Sequence, residues 1–413
     1  MTEESTYFYG LIPVRFEASE LEREQILHDF PPPLLPAGEE SFQLQDEMNG
    51  NLVRARLLLC DYSVETTKTG KQYLKMRFSN NVGSINAKMW DNQGAVETTK
   101  PLLDEYSLFD IEAKVEDFKG HKSLSINKIE PCKEDINPFA LLAYTKQSIE
   151  DLTIELFSYL NELESPYKDI SLAAMHRFWD QFCLRPAAKG YHHNYLGGLL
   201  KHTVGLMRFA RFILKFEDNH YNHYQAVIKL INHVEKAHKR DLWSQIQTAN
   251  VNAQQLVWKD TIDHLYKMLY GMMEYLDKKP NYDLIMTSIL YHDIGKLLEY
   301  DHAGKKYEEF KFLFPTADHT AIENRKQTGI IMDELGVMIG HIPYGVLMLS
   351  KIIETEGISV SLEEIHHMSH CILCHHGLPE WGSCIRSPQT IEGYMIHIVD
   401  YLDSRYENTE EIK

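Results

Sequence analysis

With 413 residues, 44% of them hydrophobic and 25% charged, the chain has the composition of a soluble globular protein and is long enough for two cores. Its net charge of −18 excludes a protein that coats nucleic acid by bulk attraction, so any polyanion site has to be local. No long apolar run is present and the N-terminal MTEESTYFYG has neither the basic nor the apolar region of an export signal, so a cytoplasmic location without membrane partners is expected. The six cysteines (Cys60, Cys132, Cys183, Cys371, Cys374, Cys384) are then expected as reduced thiols.

Residues 1–49 read as an irregular extension, with one strand near Phe8 to Phe16 and a rigid proline run at Pro31-Pro32-Pro33. From 50 to 133 short alternating runs are divided by turn signals: LVRARLLLCDYSVE, YLKMRFSN, INAKMWD, SLFDIEAKVEDF and SLSINKIEP. Five strands with a gap at Gln93 to Tyr106 for one short helix predict a small five-stranded OB-type β-barrel. This segment holds 13 Lys and Arg against 11 Asp and Glu, so it escapes the acidity of the rest. Residues 134–413 change to helix-period apolar spacing and predict an all-α domain. Within it, about 217–280 is polar, rich in His, Asn, Gln and Lys, and reads as a helical insertion whose histidines (His220, His223, His233, His238, His264) are solvated or core side chains. The fold class is thus α+β and multidomain.

The helical half contains five spaced elements: Gly197-Gly198-Leu199-Leu200-Lys201-His202, then His292-Asp293-Ile294-Gly295-Lys296, then Gly340-His341, then Cys374-His375-His376-Gly377, and a late Asp400. Imidazoles and carboxylates without thiolates suit a borderline or hard divalent cation rather than a structural zinc. If His292 and Asp293 are consecutive in one helix they diverge by about 100°, which lets Asp293 bridge two ions while His292 binds one. Lys296, one turn beyond His292, is placed to meet a phosphate over the metals. Gly197-Gly198 allows a close approach just before His202. The pattern Cys371-Ile372-Leu373-Cys374-His375 matches a haem-attachment motif, but that attachment follows export, and the two cysteines read as small apolar residues on a helix.

These elements, together with Lys68-Thr69-Gly70-Lys71-Gln72-Tyr73-Leu74, Ala87-Lys88-Met89-Trp90-Asp91 and Lys189-Gly190-Tyr191-His192-His193 upstream of His202, resemble the YhaM-like 3′-to-5′ exoribonucleases, in which an OB-fold precedes an HD domain. The resemblance runs from about residue 50 to 413, excluding the insertion. It implies His202, His292, Asp293, His341, one or both of His375 and His376, and Asp400 as ligands of two divalent metals, Mn²⁺ first, with Mg²⁺, Co²⁺, Fe²⁺ or Ni²⁺ as alternatives. It implies that Lys296, His192 and His193 face substrate phosphate, and that single-stranded RNA or DNA is hydrolysed to nucleoside monophosphates. In the barrel, Tyr73, Trp90, Phe78 and Phe118 are candidate stacking platforms and Lys68, Lys71, Lys75 and Lys88 candidate backbone contacts. The stretch from His202 to His292 is longer than that family usually has, which leaves substrate range and a homo-oligomer open. Rival readings are a phosphodiesterase for nucleotides or cyclic dinucleotides, a di-iron oxygen-using enzyme, and a nucleic-acid-tethered scaffold without catalysis.

Overall fold

The computed structural model describes residues 5–37, 41–92, 94–188, 193–215, 222–249, 258–323, 325–381 and 384–407. The N-terminal segment, expected to be irregular, has a hairpin of β1 (Thr6–Tyr7) and β2 (Ile12–Pro13) and then helix α1 (Glu20–Asp29). A capping box starts α1: the Ser19 hydroxyl accepts from the Glu22 N–H while the Glu22 carboxylate accepts from the Ser19 N–H. Tyr7, Phe8, Ile12, Ile26 and Phe30 are buried in the core of the helical half, not in that of the barrel. In place of the strand predicted across Phe8 to Phe16 there is a hairpin of two two-residue strands, with Phe8 and Tyr9 at positive φ in its turn.

Strands β3 (Leu52–Thr66), β4 (Gln72–Ser79), β5 (Ser84–Trp90), β6 (Leu108–Phe118) and β7 (His121–Pro131) close into a barrel in the order β3-β4-β5-β7-β6. Closure depends on β3, which pairs with β6 through Leu52–Leu58 and with β4 through Leu58–Thr66, with a register shift between Leu59 and Asp61 where it changes partner. The parallel contact of β5 with β7 completes the ring. Helix α2 (Ala95–Glu105) fills the predicted gap and buries Val96, Thr99 and Leu103 against the strands. Alternation sends Leu74, Met76, Phe78, Ile85 and Ala87 into the barrel core.

The remaining helices are α3 (Ile149–Asn161), α4 (Tyr167–Phe182), α5 (Gly198–Leu214), α6 (His223–Gln247), α7 (Trp258–Met272), α8 (Tyr282–His292), α9 (Lys296–Glu299), α10 (Glu308–Leu313), α11 (Thr320–Glu323), α12 (Gly336–Ile339), α13 (His341–Glu356), α14 (Leu362–Cys374) and α15 (Ile391–Tyr406). Helix α8 is central: Leu284 to His292 are all buried, and α4, α5, α13, α14 and α15 pack around it. An apolar helix buried on every side forms the middle of a core, and the middle is where a buried polar cluster can be walled from water. Short strands β8 (Tyr300–Asp301) and β9 (Ile331–Met332) pair next to α9. The barrel meets this half through Ser79, which donates to the Leu141 carbonyl at 3.0 Å, and Lys326, which donates to the Leu103 carbonyl at 2.6 Å. Among the described residues no helix is long and apolar enough to cross a membrane.

Candidate metal centre

Five helices deliver the metal-site residues, three of them (α8, α13 and α14) at a helix end. His202 lies in the second turn of α5, whose N-cap Gly197 is left-handed at φ 79°. A side chain on Gly198 would meet the His193 carbonyl at 2.3 Å and one on Gly197 would meet the Thr145 side chain at 2.8 Å and Ile149 of α3 at 3.6 Å, so the first glycine makes room for the segment leading into α3 and the second for the 193 loop. Helix α8 ends at His292, and Asp293 is its C-cap with φ −112° and ψ 2°. This corrects the expectation of one continuous helix through Lys296, because Lys296 begins a separate short helix, α9. Just past the break, Gly295 lets the His341 backbone pack close, since a Cβ there would lie 2.0 Å from the His341 carbonyl. His341 opens α13 behind Gly340, His375 caps α14, and Asp400 lies within α15.

The side chains converge on Asp293. Its Oδ2 lies 3.5 Å from His202 Nε2 and 3.3 Å from His292 Nε2, and its Oδ1 lies 3.5 Å from His341 Nε2 and 3.7 Å from His375 Nε2. Two groups able to hold a metal result, His202–His292–Asp293 and Asp293–His341–His375–His376, sharing the one carboxylate. Asp400 joins the first, with Oδ1 3.2 Å from His202 Nε2. Both His375 and His376 are therefore at the centre.

Each of four imidazoles is held by its Nδ1, leaving Nε2 directed inward. His202 pairs with Asp403 at 2.6 Å, His341 with Glu299 at 2.7 Å, and His292 and His375 with the carbonyls of Ile289 and Ile372 at 2.5 and 2.7 Å. Metal-binding histidines are characteristically oriented in this way. Asp293 Oδ1, His341 Nε2 and His375 Nε2 are buried without a hydrogen-bond partner. Burying converging acceptors unpaired is costly, and a cation between them supplies what they lack, so the residues present fit a metal.

Electrostatics agree with that role at Asp293, Asp400, His375 and His376. Burial opposes ionisation of Asp293, but Lys296 and His292 outweigh it and hold its carboxyl well below the usual range. Burial also opposes the charge on Asp400, which hydrogen bonding to His202 overcomes. His375 is held neutral by burial and by neighbouring His376 and His292, and burial with His341 pushes His376 down to about 4. Neutral imidazoles and ionised carboxylates are the forms that bind metal. At His202, burial is outweighed by Asp400 and Asp403 on its two nitrogens, and its pKa rises to about 10.

Lys296 donates to the Asp293 carboxylate and lines a cavity of about 230 Å³ with His202, Asp293, His376 and Asp400. His193 lines it too, but both its ring nitrogens are engaged, by Tyr195 at 2.8 Å and Asp403 at 3.1 Å. It supports Asp403 instead of presenting a free nitrogen to phosphate. His192 lies outside the described residues. Three residues not anticipated from sequence complete the scaffold. Asp403 collects His193, His202 and the hydroxyl of Tyr7, and Gly205 makes the space, since a Cβ there would fall 2.4 Å from Asp403. Glu299 orients His341. Asp403 stands three residues after Asp400 and Glu299 three after Lys296, so helical spacing from a named site residue is the signal that could have found both.

In the barrel, cross-strand pairs Tyr73–Trp90 and Lys75–Lys88 lie on one face, opposite to the buried Leu74, Met76 and Ala87. The Tyr73 and Trp90 rings are 5.1 Å apart and half-buried. Lys68 and Lys75 are exposed, and Lys71 donates to Asn92 at 3.1 Å. Phe78 is wholly buried and is a core residue rather than a platform, whereas Phe118 is 72% exposed at the end of β6.

The profile of the family described as HD domain matches residues 261–405, a span that holds every metal-site candidate above except His202 and begins inside the stretch read as an insertion. The 3′-5′ exoribonuclease YhaM of Listeria welshimeri is 22% identical over 88% of this chain and 88% of its own length. The protein of that name from Geobacillus sp. is 23% identical over 86% of this chain and 83% of its own. Among solved structures, the second OB-fold domain of replication protein A from Methanococcus maripaludis pairs with 24% of this chain and 99% of its own, at 11% identity and a TM-score of 0.18. The HD-domain profile thus matches the C-terminal part of the chain, and along 88% of its length the chain is similar to a YhaM exoribonuclease.

Proposed function

We propose that this protein is a metal-dependent 3′-to-5′ exonuclease that hydrolyses single-stranded RNA, with DNA as a further substrate, to nucleoside monophosphates. The observation that carries the reading is the single carboxylate of Asp293 shared by two ligand groups in a chain similar to YhaM exoribonucleases across most of its length. In this reading His202, His292, Asp293 and Asp400 hold one divalent ion and Asp293, His341, His375 and His376 a second, Mn²⁺ being the first choice. Such a pair supplies Lewis-acid polarisation of the phosphodiester and activates water at neutral pH.

The chain's own residues do the rest. Asp403 and Glu299 fix the rings of His202 and His341, so the Nε2 atoms are in place before substrate arrives. Lys296 gives the cavity a cation beside Asp293, where charge on a phosphoryl oxygen would otherwise meet a carboxylate-rich wall. Residues 50–133 act as an OB-type barrel in which Tyr73 and Trp90 stack bases while Lys68, Lys71, Lys75 and Lys88 track the backbone. Residues 134–413 form the hydrolytic domain. Six free thiols fit a reducing, cytoplasmic setting.

Degradation of single-stranded RNA and DNA labelled at either end tests the reading. With Mn²⁺, 5′-labelled RNA is expected to shorten in steps while 3′-labelled RNA releases labelled mononucleotide at once. The opposite polarity, or turnover of cyclic dinucleotides with every oligonucleotide left intact, would overturn it.

A further inference from the structure

The metal ligands account for one wall of the cavity. Its lining also includes Trp381, Tyr401, Ser404 and Arg405, with the small Ala187 and Ala188. Trp381 is 44% exposed, yet its ring is fixed by neighbours: it lies 6.1 Å from Tyr401 at 27° and 4.4 Å from His264, whose Nε2 is 2.7 Å from His397. Tyr401 follows Asp400 directly on α15, so the aromatic pair is anchored to the same rigid helix as a metal-site carboxylate. The Arg405 guanidinium lies 4.5 Å over Tyr401, is exposed, and has no carboxylate partner among the described residues.

From this arrangement we infer that Trp381, backed by Tyr401 and flanked by Arg405, forms the subsite for the terminal nucleobase, with Arg405 meeting the adjoining phosphate. The inference rests on the exonuclease reading and deepens it. A flat, polarisable ring fixed by neighbours yet 44% exposed in the lining of a cavity is what base stacking requires. Stacking is indifferent to base identity because every base has a π-face, which suits an enzyme that must accept each nucleotide as it becomes terminal. Arg supplies a planar phosphate donor whose charge does not depend on pH. The small Ala187 and Ala188 in the same lining leave space for a flat group.

The test compares two synthetic RNAs, one ending in an ordinary 3′ nucleotide and one ending in an abasic nucleotide, cleaved by the full chain with Mn²⁺. The wild type is expected to prefer the base-bearing end by about tenfold, Trp381→Ala to lose that preference, and Trp381→Phe to keep most of it. Because the readout is a ratio within each protein, partial unfolding of a variant does not imitate the result. Equal rates on both RNAs in the wild type, or an unchanged ratio in Trp381→Ala, would overturn the subsite. If the wild type releases no mononucleotide from either RNA, the exonuclease reading fails, and quenching of tryptophan fluorescence by adenosine 5′-monophosphate decides the subsite alone. Stronger quenching in the wild type than in Trp381→Phe upholds it, and equal quenching ends it.

Discussion

The metal centre and the outward face of the barrel are both built from side chains that a sequence can nominate, yet they are held in opposite ways. At the centre four of the five rings are locked by a second partner, and atoms are buried without hydrogen bonds where a cation would fit. On the barrel, Lys68 and Lys75 are free in solvent and Tyr73 and Trp90 lean on one another. A buried cluster of this kind is determined by packing on every side, whereas an exposed stacking surface is redundant. Substitutions should therefore act nearly all-or-none in the first and by degrees in the second.

The largest effect is expected at Asp293. Replacing it with alanine removes a ligand from both metal groups and should lower turnover by roughly a thousandfold or more, measured as mononucleotide release, with RNA binding to the barrel retained. EDTA should do the same to the wild type, reversibly on adding Mn²⁺. If Asp293→Ala retained near-normal turnover, the contrast would collapse at its strongest point.

Stability beneath the centre comes next. Asp333 accepts from Lys305 at 3.2 Å, Arg325 at 2.7 Å and the Gly336 N–H at 2.8 Å, and its own N–H donates to the Glu299 carbonyl. Burial opposes its charge, but Lys305, the Gly336 N–H and Arg325 hold its pKa below the ordinary value. A carboxyl depressed in the fold contributes stability above its unfolded pKa and loses it as pH falls through the folded one. Asp333→Asn should thus cost about 3–5 kcal/mol at pH 7, and the gap to wild type in urea denaturation should narrow below about pH 4. A gap independent of pH would deny the ion pair its part.

Asp403→Asn should weaken metal affinity about 10- to 100-fold, read by Mn²⁺ titration, with Tyr7→Phe shifting it in the same direction by less. Smallest is the barrel. Tyr73→Ala or Trp90→Ala should raise KM for long single strands by about tenfold and leave cleavage of a dinucleotide unchanged. An equal loss on both substrates would mean that the barrel acts through the centre and that the two regions are not separable.

These contrasts also explain which parts were legible in the sequence. Barrel strands announce themselves because apolar and polar residues alternate, although only the pairing of Tyr73 with Trp90 reveals that they share the outer face with Lys75 and Lys88. The histidines and aspartates of the centre stand out because adjacent polar residues in apolar helices need a reason. Their supports do not: Asp403 and Glu299 look like ordinary solvated helix carboxylates until the fold buries them. The spacing puts Lys296 one turn along a continuous helix, whereas the helix ends at His292 and Asp293 takes a non-helical backbone that no residue type there announces. The N-terminal segment escaped notice because α1 is polar on nearly every face and buries only Ile26. Its capping box was the available signal. The deepest anchor there, Tyr7, sits in a two-residue strand too short for any periodicity to mark.

The central claim, that Asp293 joins two metal groups in one catalytic centre, is tested most directly by calorimetric titration of the chelator-treated protein with Mn²⁺. Two ions per chain in the wild type and loss of both in Asp293→Ala are the predicted result. Stoichiometric binding that survives Asp293→Ala unchanged would contradict it.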